Sequence, residues 1–271
     1  MDAKFEILCV TMGQTDFSKI EEMNIRSNVV FANQANFTAF ETKQVNQFSA
    51  KMITTETVGV GINRNIALMY ASAEICLFAD DDIYYIDDLE KVVVEEFEKH
   101  PKADIFIFHL DTSDEARKQK KYKKTRKCGF FEKMPWGGAR IAVRLASIKR
   151  ANLWFSTLFG GGCKFPSGED SMWLIEAKKK GLNFYVSDKT IGSISFENSS
   201  WYSGADEKFY YGKGAFYQAV HKNSQWLWRL YFALRTRKSG TLTFSQKMRW
   251  MKAGAFGFKK QQAYQEYIKG L

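Results

Sequence analysis

The chain has 271 residues, 45% hydrophobic and 26% charged, with a net charge of +10, enough for one large globular domain or two joined lobes. No window approaches 18 uninterrupted apolar residues, since the best, Trp226–Leu234, carries Arg229, so no membrane span is expected. Met1–Val10 lacks the pattern of a cleaved signal, and Cys9, Cys76, Cys128 and Cys163 are scattered with no Cys-x-x-Cys pair, which argues against a zinc ribbon or thioredoxin-type site and for reduced thiols in a cytoplasm.

Phe5–Thr11 is a short apolar run ending in polar residues, as a buried strand leading into a loop would be. Asn28–Ala32 reads as a second strand, followed by Asn33-Gln34. Two glycines lie in Thr57–Asn63, and Arg64–Ala71 reads as a helix. Glu74–Ala79 is a third strand running straight into Asp80-Asp81-Asp82. Asp87–His100 places Leu89, Val92, Val93 and Phe97 on one helical face and is stopped by Pro101. Ala103–Leu110 is a further strand, Glu115–Lys127 a basic loop, Pro135–Gly138 a turn, Ile141–Val143 a strand and Ser147–Ala151 a short helix. After the glycine-rich Gly160–Gly162, Ser167 is placed to cap a helix over Glu169–Lys180, ended by Gly181. Strands alternating with helices predict an α/β architecture, a Rossmann-type mostly parallel sheet flanked by helices.

Three consecutive carboxylates repel one another, and an apolar strand does not end in them without a compensating cation. With period-two geometry Asp80 and Asp82 point to one side and Asp81 to the other. Two hard oxygen ligands on one side suit Mg²⁺ or Mn²⁺, which keeps other positions for water and phosphate oxygens. Ligands of open α/β sheets sit beyond the carboxyl ends of strands, where this cluster falls. The alternative is an acidic surface turn that starts the next helix, a role Asp87 and Asp88 fill better.

The succession of Thr11 after a strand, Asn33 after a strand, Gly61-Ile62-Asn63-Arg64-Asn65-Ile66-Ala67 and Cys76-Leu77-Phe78-Ala79-Asp80-Asp81-Asp82 resembles glycosyltransferase family 2. The resemblance runs from about Lys4 to about Trp201 and is of the bacterial surface-polysaccharide type. It implies a GT-A fold and a metal, Mn²⁺ or Mg²⁺, bridging a nucleotide diphosphate through an Asp-x-Asp motif. On that likeness Asp80 faces the ribose and the metal, Asp82 is the principal metal ligand, and Thr11 and Asn33 line the nucleoside pocket. Arg64 sits near the diphosphate or orients Asp80, or instead pairs with Asp81. Asp81 is counted with the nucleotide-sugar-binding group.

Inverting transfer needs a base opposite the leaving diphosphate. Glu169-Asp170 resembles the family's acidic pair, in which the second acid, Asp170, is the base and Glu169 shapes the site. Ser167-x-x-Asp170 also fits a helix capping box. Trp136 is an acceptor-side stacking candidate, with core packing its alternative, and Trp201 a second acceptor-contacting aromatic.

Beyond Trp201 aromatics become dense and acids almost vanish. After Glu207 there are thirteen Lys and Arg against one acid, Glu266, a net of +12. Asp114–Lys127 adds eight basic residues and two acids. Residues 1–206 therefore read as the catalytic domain, a nucleotide-sugar half (1–100) and an acceptor half (101–206), and 207–271 as a basic aromatic helical extension. Its apolar and cationic residues suit an anionic membrane surface, with burial against the catalytic domain or a homo-oligomer interface as competitors. Gln246-Lys247-Met248-Arg249-Trp250 fits the Gln-x-x-Arg-Trp pattern of processive synthases, though late in the chain and without flanking spans.

The leading expectation is a metal-dependent inverting glycosyltransferase using a nucleotide-sugar, a UDP-sugar first, and a saccharide acceptor on polyprenyl diphosphate, peripheral on the inner face of the cell membrane. A metal-dependent nucleotidyltransferase would share Asp80 and Asp82 without needing Asp170. A non-enzymatic basic module for membrane or nucleic acid leaves the strand-end acids unexplained, and no nucleic-acid-binding signature is present.

Overall fold

The structure, a computed structural model, describes residues 3–114, 121–129, 137–194, 205–237 and 239–270. Trp136 and Trp201 lie outside the described residues, as does part of the basic cluster before Lys127. The chain divides into two compact units. The first comprises residues up to 58, 62–155 and the described residues from 173 to 194; the second comprises 59–61, 156–172 and the described residues after 204.

The first unit is built on a sheet with ten strands among the described residues. They are β1 (Phe5–Met12), β2 (Asn28–Gln34), β3 (Ala39–Val45), β4 (Phe48–Thr55), β5 (Ile75–Asp80), β6 (Ile83–Tyr85), β7 (Ile105–Asp111), β8 (Arg126–Lys127), β9 (Ile141–Arg144) and β10 (Phe184–Ile194). The spatial order is β3-β4-β2-β1-β5-β9-β7-β10-β6, with β8 on β10. Strands β4, β2, β1 and β5 run parallel, as do β7 and β10. Strand β9 and the margins pair antiparallel. The helices are α1 (Lys19–Glu22), α2 (Val60–Tyr70), α3 (Leu89–Lys99), α4 (Leu145–Arg150) and α5 (Glu169–Lys179). The expected α/β sheet flanked by helices is therefore present.

The alternation of side chains explains why β1 has no polar face. Phe5, Ile7 and Cys9 enter one core with Val29, Phe31 and Leu77, while Leu8 enters another with Val30, Cys76 and Phe78. A strand covered on both sides reads as a continuous apolar run. Helix α3 buries Leu89, Val93 and Phe97 of the expected stripe against the first core, with Val94 buried beside them and Val92 only partly so. All four cysteines are free, Cys9 and Cys76 buried.

His109 on β7 is buried, and its Nε2 accepts a hydrogen bond from the Tyr122 N–H at 2.7 Å. Burial, then Arg140 and Lys121, lower its pKa, while Asp111 and Asp188 oppose them more weakly. The folded state thus favours the neutral ring, so stability present above the unfolded value, about 6.5, is lost as pH falls below it toward the depressed folded value. Melting temperature measured from pH 7.5 to 5 is expected to decline below about pH 6.5, and His109→Gln to flatten that decline. An unaltered profile in the variant would assign the acid sensitivity elsewhere.

The second unit is helical beyond residue 204. Helix α6 (Glu207–Val220) starts at Asp206, whose side chain accepts from the Phe209 N–H at 2.8 Å. Helix α7 (Gln225–Arg235) precedes α8 (Phe244–Lys259) and α9 (Tyr264–Lys269). Gln246 of the Gln-x-x-Arg-Trp pattern closes a capping box at the start of α8, its side chain accepting from the Thr243 N–H at 2.8 Å. Trp250 is buried against Tyr264 and Tyr267, with ring centres 5.6 and 6.3 Å away. Both residues therefore have structural work in this unit. No helix among the described residues is long and apolar enough to cross a membrane.

Candidate active site

In the first unit the parallel register sets the floor of the site. Val10 pairs with Asp80 and Thr11 with Asn33, and Asn33 in turn pairs with Thr54. The carboxyl ends of β4, β2, β1 and β5 thus stop at one level, the place where open α/β sheets hold ligands.

Asn33 is fully buried. Its Nδ2 donates to the Gln14 carbonyl at 2.8 Å and to the Thr54 hydroxyl at 3.1 Å, and its Oδ1 accepts from the Gln14 N–H at 3.0 Å. Its amide is thus committed to the loop after β1 and to β4. Thr11 is also buried, and its hydroxyl donates to Asp81.

The alternation expected across the three acids stops at Asp80, because β5 ends there and Asp81-Asp82 form a turn before β6. Side-chain direction is therefore set by the turn. Arg64 is buried and pairs with Asp80, Nη2 to Oδ1, at 3.0 Å. Its guanidinium lies 5.3 Å from the centre of the Phe155 ring. Phe155 stacks on Trp173 at 5.1 Å, and Phe78 meets both rings edge-on. The arginine is thus mounted on an aromatic base that fixes its plane. Lys19 is near enough to Asp81 for each charge to favour the other, and its Nζ donates to the Asp81 carbonyl at 3.4 Å.

Asp82 makes no ion pair among the described residues. Its pKa is raised to about 6, by desolvation first and then by the carboxylates of Asp80 and Asp81. The residue as a whole is exposed, so the crowding of like charge is the more durable cause. A hard cation fits this donor set, because it would relieve that repulsion. No group of three or more His, Cys, Asp or Glu among the described residues is arranged to hold a metal unaided. Asp80 and Asp82 would therefore share the ion with oxygens of a ligand and water.

Asn65 was not anticipated. Its Nδ2 donates to the Phe155 carbonyl at 3.0 Å and its Oδ1 accepts from the Phe155 N–H at 2.8 Å. The run Arg64-Asn65-Ile66-Ala67 thus resolves into three tasks: Arg64 grips Asp80, Asn65 locks the backbone beneath Arg64, and Ala67 is fully buried in the core.

Glu169 and Asp170 lie in the second unit, in the first turn of α5. The helix begins at Glu169, so Gly168, not Ser167, is the residue before it, and the Gly168 carbonyl accepts from the Met172 N–H at 2.9 Å. Gly168 has φ +117°, and a Cβ there would stand 2.7 Å from the Phe216 ring. At Gly160, φ +112°, a Cβ would meet Val60 at 2.6 Å and the Glu169 carboxyl at 3.0 Å. Gly160 thus seats Glu169 tightly and Gly168 lets Phe216 approach, local reasons for these glycines that need no bound ligand. Lys213 on α6, which sequence reasoning passed over, lies 5.3 to 5.9 Å from the ring centres of Phe209, Phe216 and Phe232. Burial lowers its pKa, against the opposing charge of Glu169.

Residues 30–151 match the family model Glycosyl transferase family 2. A comparison with curated proteins finds no match. Among solved structures, S. aureus TarS 1-349 in complex with UDP-GlcNAc is similar at 16% identity and TM-score 0.62, over 96% of this chain and 93% of that one. Another S. aureus TarS structure is similar at 17% identity and TM-score 0.57, over 97% of this chain and 44% of that one. The mannosyltransferase PcManGT from Pyrobaculum calidifontis, in complex with GDP-Man and Mn²⁺, is similar at 10% identity and TM-score 0.51, over 95% and 87%. At such identities these likenesses show the fold, and the matched family segment spans Arg64 and the three acids. The chain thus carries, over residues 30–151, a segment that matches glycosyl transferase family 2, set on a GT-A-like fold.

Proposed function

We propose that the protein is a metal-dependent inverting glycosyltransferase that moves a sugar from a nucleotide-sugar, a UDP-sugar first, to a hydroxyl of a saccharide acceptor carried on polyprenyl diphosphate. The observation that carries this reading is the strand end where Arg64 holds Asp80, Thr11 holds Asp81, and Asp82 keeps a raised pKa among like charges. UDP-GlcNAc and GDP-Man with Mn²⁺, bound by structural neighbours, support the ligand class. Cytoplasmic nucleotide-sugar would place the reaction at the inner face of the cell membrane.

Asp80 and Asp82 would hold Mn²⁺ or Mg²⁺, which when bound neutralises charge on the departing diphosphate. Arg64 orients Asp80 through their ion pair. At the acceptor, Asp170 takes the hydroxyl proton as that oxygen bonds to the anomeric carbon. The bond from that carbon to the diphosphate oxygen breaks, its electron pair leaving with the nucleotide, and the configuration inverts. Glu169, seated against Gly160, shapes the acceptor side. Trp136 and Trp201 remain proposals for acceptor contact.

A thermal-shift screen of nucleotide-sugars with and without Mn²⁺ tests the reading. At a ligand concentration of 100 times Kd the native state gains about 2.7 kcal/mol, a rise of roughly 5–10 °C for a chain of this size. A UDP-sugar is expected to give that rise only with Mn²⁺. If every nucleotide-sugar leaves the melting temperature unmoved, the reading fails.

A further inference from the structure

Helix α7 is turned the wrong way for a helix facing water. At 3.6 residues per turn, Trp226, Leu230, Leu234, Leu227 and Tyr231 follow one another across an arc of about 140°. All five are exposed, Trp226 and Leu234 to 54%. Trp228, also exposed, widens the stripe. The packed side carries Ala233, fully buried, and Arg229, whose Nη1 donates to the Met251 carbonyl at 3.4 Å and whose pKa burial lowers. A helix that half-buries Arg229 while its leucines face outward inverts the usual amphipathic order along that stripe. A contiguous apolar face of this kind marks an interaction surface.

Charge identifies the occupant. No acid occurs between Lys208 and Gln265, and Lys222, Arg235 and Arg237 are exposed around the stripe. A second copy docking through this face would bring two strongly basic surfaces together. Tryptophan and tyrosine beside leucine, rimmed by cations, match the headgroup and acyl boundary of an anionic bilayer. We infer that α7 lies in the surface of an anionic membrane, the stripe Trp226–Leu230–Leu234 entering the acyl boundary while Lys222, Arg235 and Arg237 meet lipid phosphates. This is independent of the transfer reading, since binding is measured without donor or acceptor.

The test is co-sedimentation of the full chain with vesicles of phosphatidylglycerol and phosphatidylcholine, against phosphatidylcholine alone. The wild type is expected to bind the anionic vesicles about tenfold or more tightly, and both Trp226→Ser/Leu230→Ser/Leu234→Ser and Arg235→Glu/Arg237→Glu to lose about tenfold or more. Circular dichroism should show both variants folded, because the altered side chains are exposed. Should the serine variant misfold, quenching of tryptophan fluorescence by brominated lipid in the wild type decides, and no quenching overturns the inference. It is equally overturned if the wild type stays off anionic vesicles, or if the serine variant binds as tightly as the wild type. A dimer that the serine variant dissolves, with no vesicle binding, would assign the face to a second copy instead.

Discussion

Replacing Asp170 by asparagine is expected to leave donor affinity within about twofold and to lower turnover by about 10²–10⁴-fold, the range general-base catalysis supplies. Asparagine keeps the shape of the side chain at the first turn of α5, where Gly168 and Glu169 are closely packed, so the helix start should survive. The mount itself has a cost. The positive end of a helix stabilises an ionised carboxylate by about 0.3–1 kcal/mol, up to about 2 when partly buried, and so weakens it as a base. A 10²–10⁴-fold contribution corresponds to about 2.7–5.5 kcal/mol, so a positioned Asp170 still wins. Donor affinity is measured by calorimetry with Mn²⁺ and turnover by release of the nucleoside diphosphate. Retained turnover would remove Asp170 from the chemistry and favour a nucleotidyltransferase. Lost donor affinity at intact fold would make it a nucleotide ligand.

Much of this architecture is legible before any coordinates. Strands β1, β2 and β5 announce themselves because they are covered on both faces, and α3 because its stripe and Pro101 leave no other reading. The β3–β4 hairpin does not, since Ala39–Val45 is an edge strand with five exposed residues and the pattern Phe-Glu-Thr-Lys-Gln offers no apolar alternation. Its turn is visible only in retrospect, in Asn46 at φ +52°. The acidic strand end stands out because charge after an apolar run is costly wherever it falls. The partners that organise it do not. Arg64 reaches Asp80 across 16 positions and Asn65 reaches Phe155 across 90, pairings that only the chain's path can bring about. Asn33 shows the same limit from the other side: a polar residue at a strand end reads as a ligand contact, and its hydrogen bonds to the Gln14 loop and to Thr54 on β4 are not visible in the sequence.

At Asp82, changing the carboxylate to a methyl separates two explanations for three adjacent acids. Like charges about 5 Å apart repel by about 3 kcal/mol at an effective dielectric of 20, and of the three only Asp82 has neither an arginine nor a threonine hydroxyl to offset this. If the acids merely start a turn, Asp82→Ala should leave nucleotide affinity alone. If they hold a cation, the variant should lose Mn²⁺-dependent affinity for a nucleoside diphosphate by about 10²-fold, since even an outer partner of a metal ligand is worth 10- to 100-fold. Without metal, the same variant should melt no lower than the wild type, because it removes a repelled charge whose hydrogen bond is to its own backbone N–H. Calorimetry with and without Mn²⁺ reads the first quantity and a metal-free melt the second. Undiminished affinity would count against the cation, whereas weakened affinity with a much lower melt would make Asp82 a structural acid. Lost affinity at an undiminished melting temperature fits only a residue whose charge the fold tolerates for the sake of an ion.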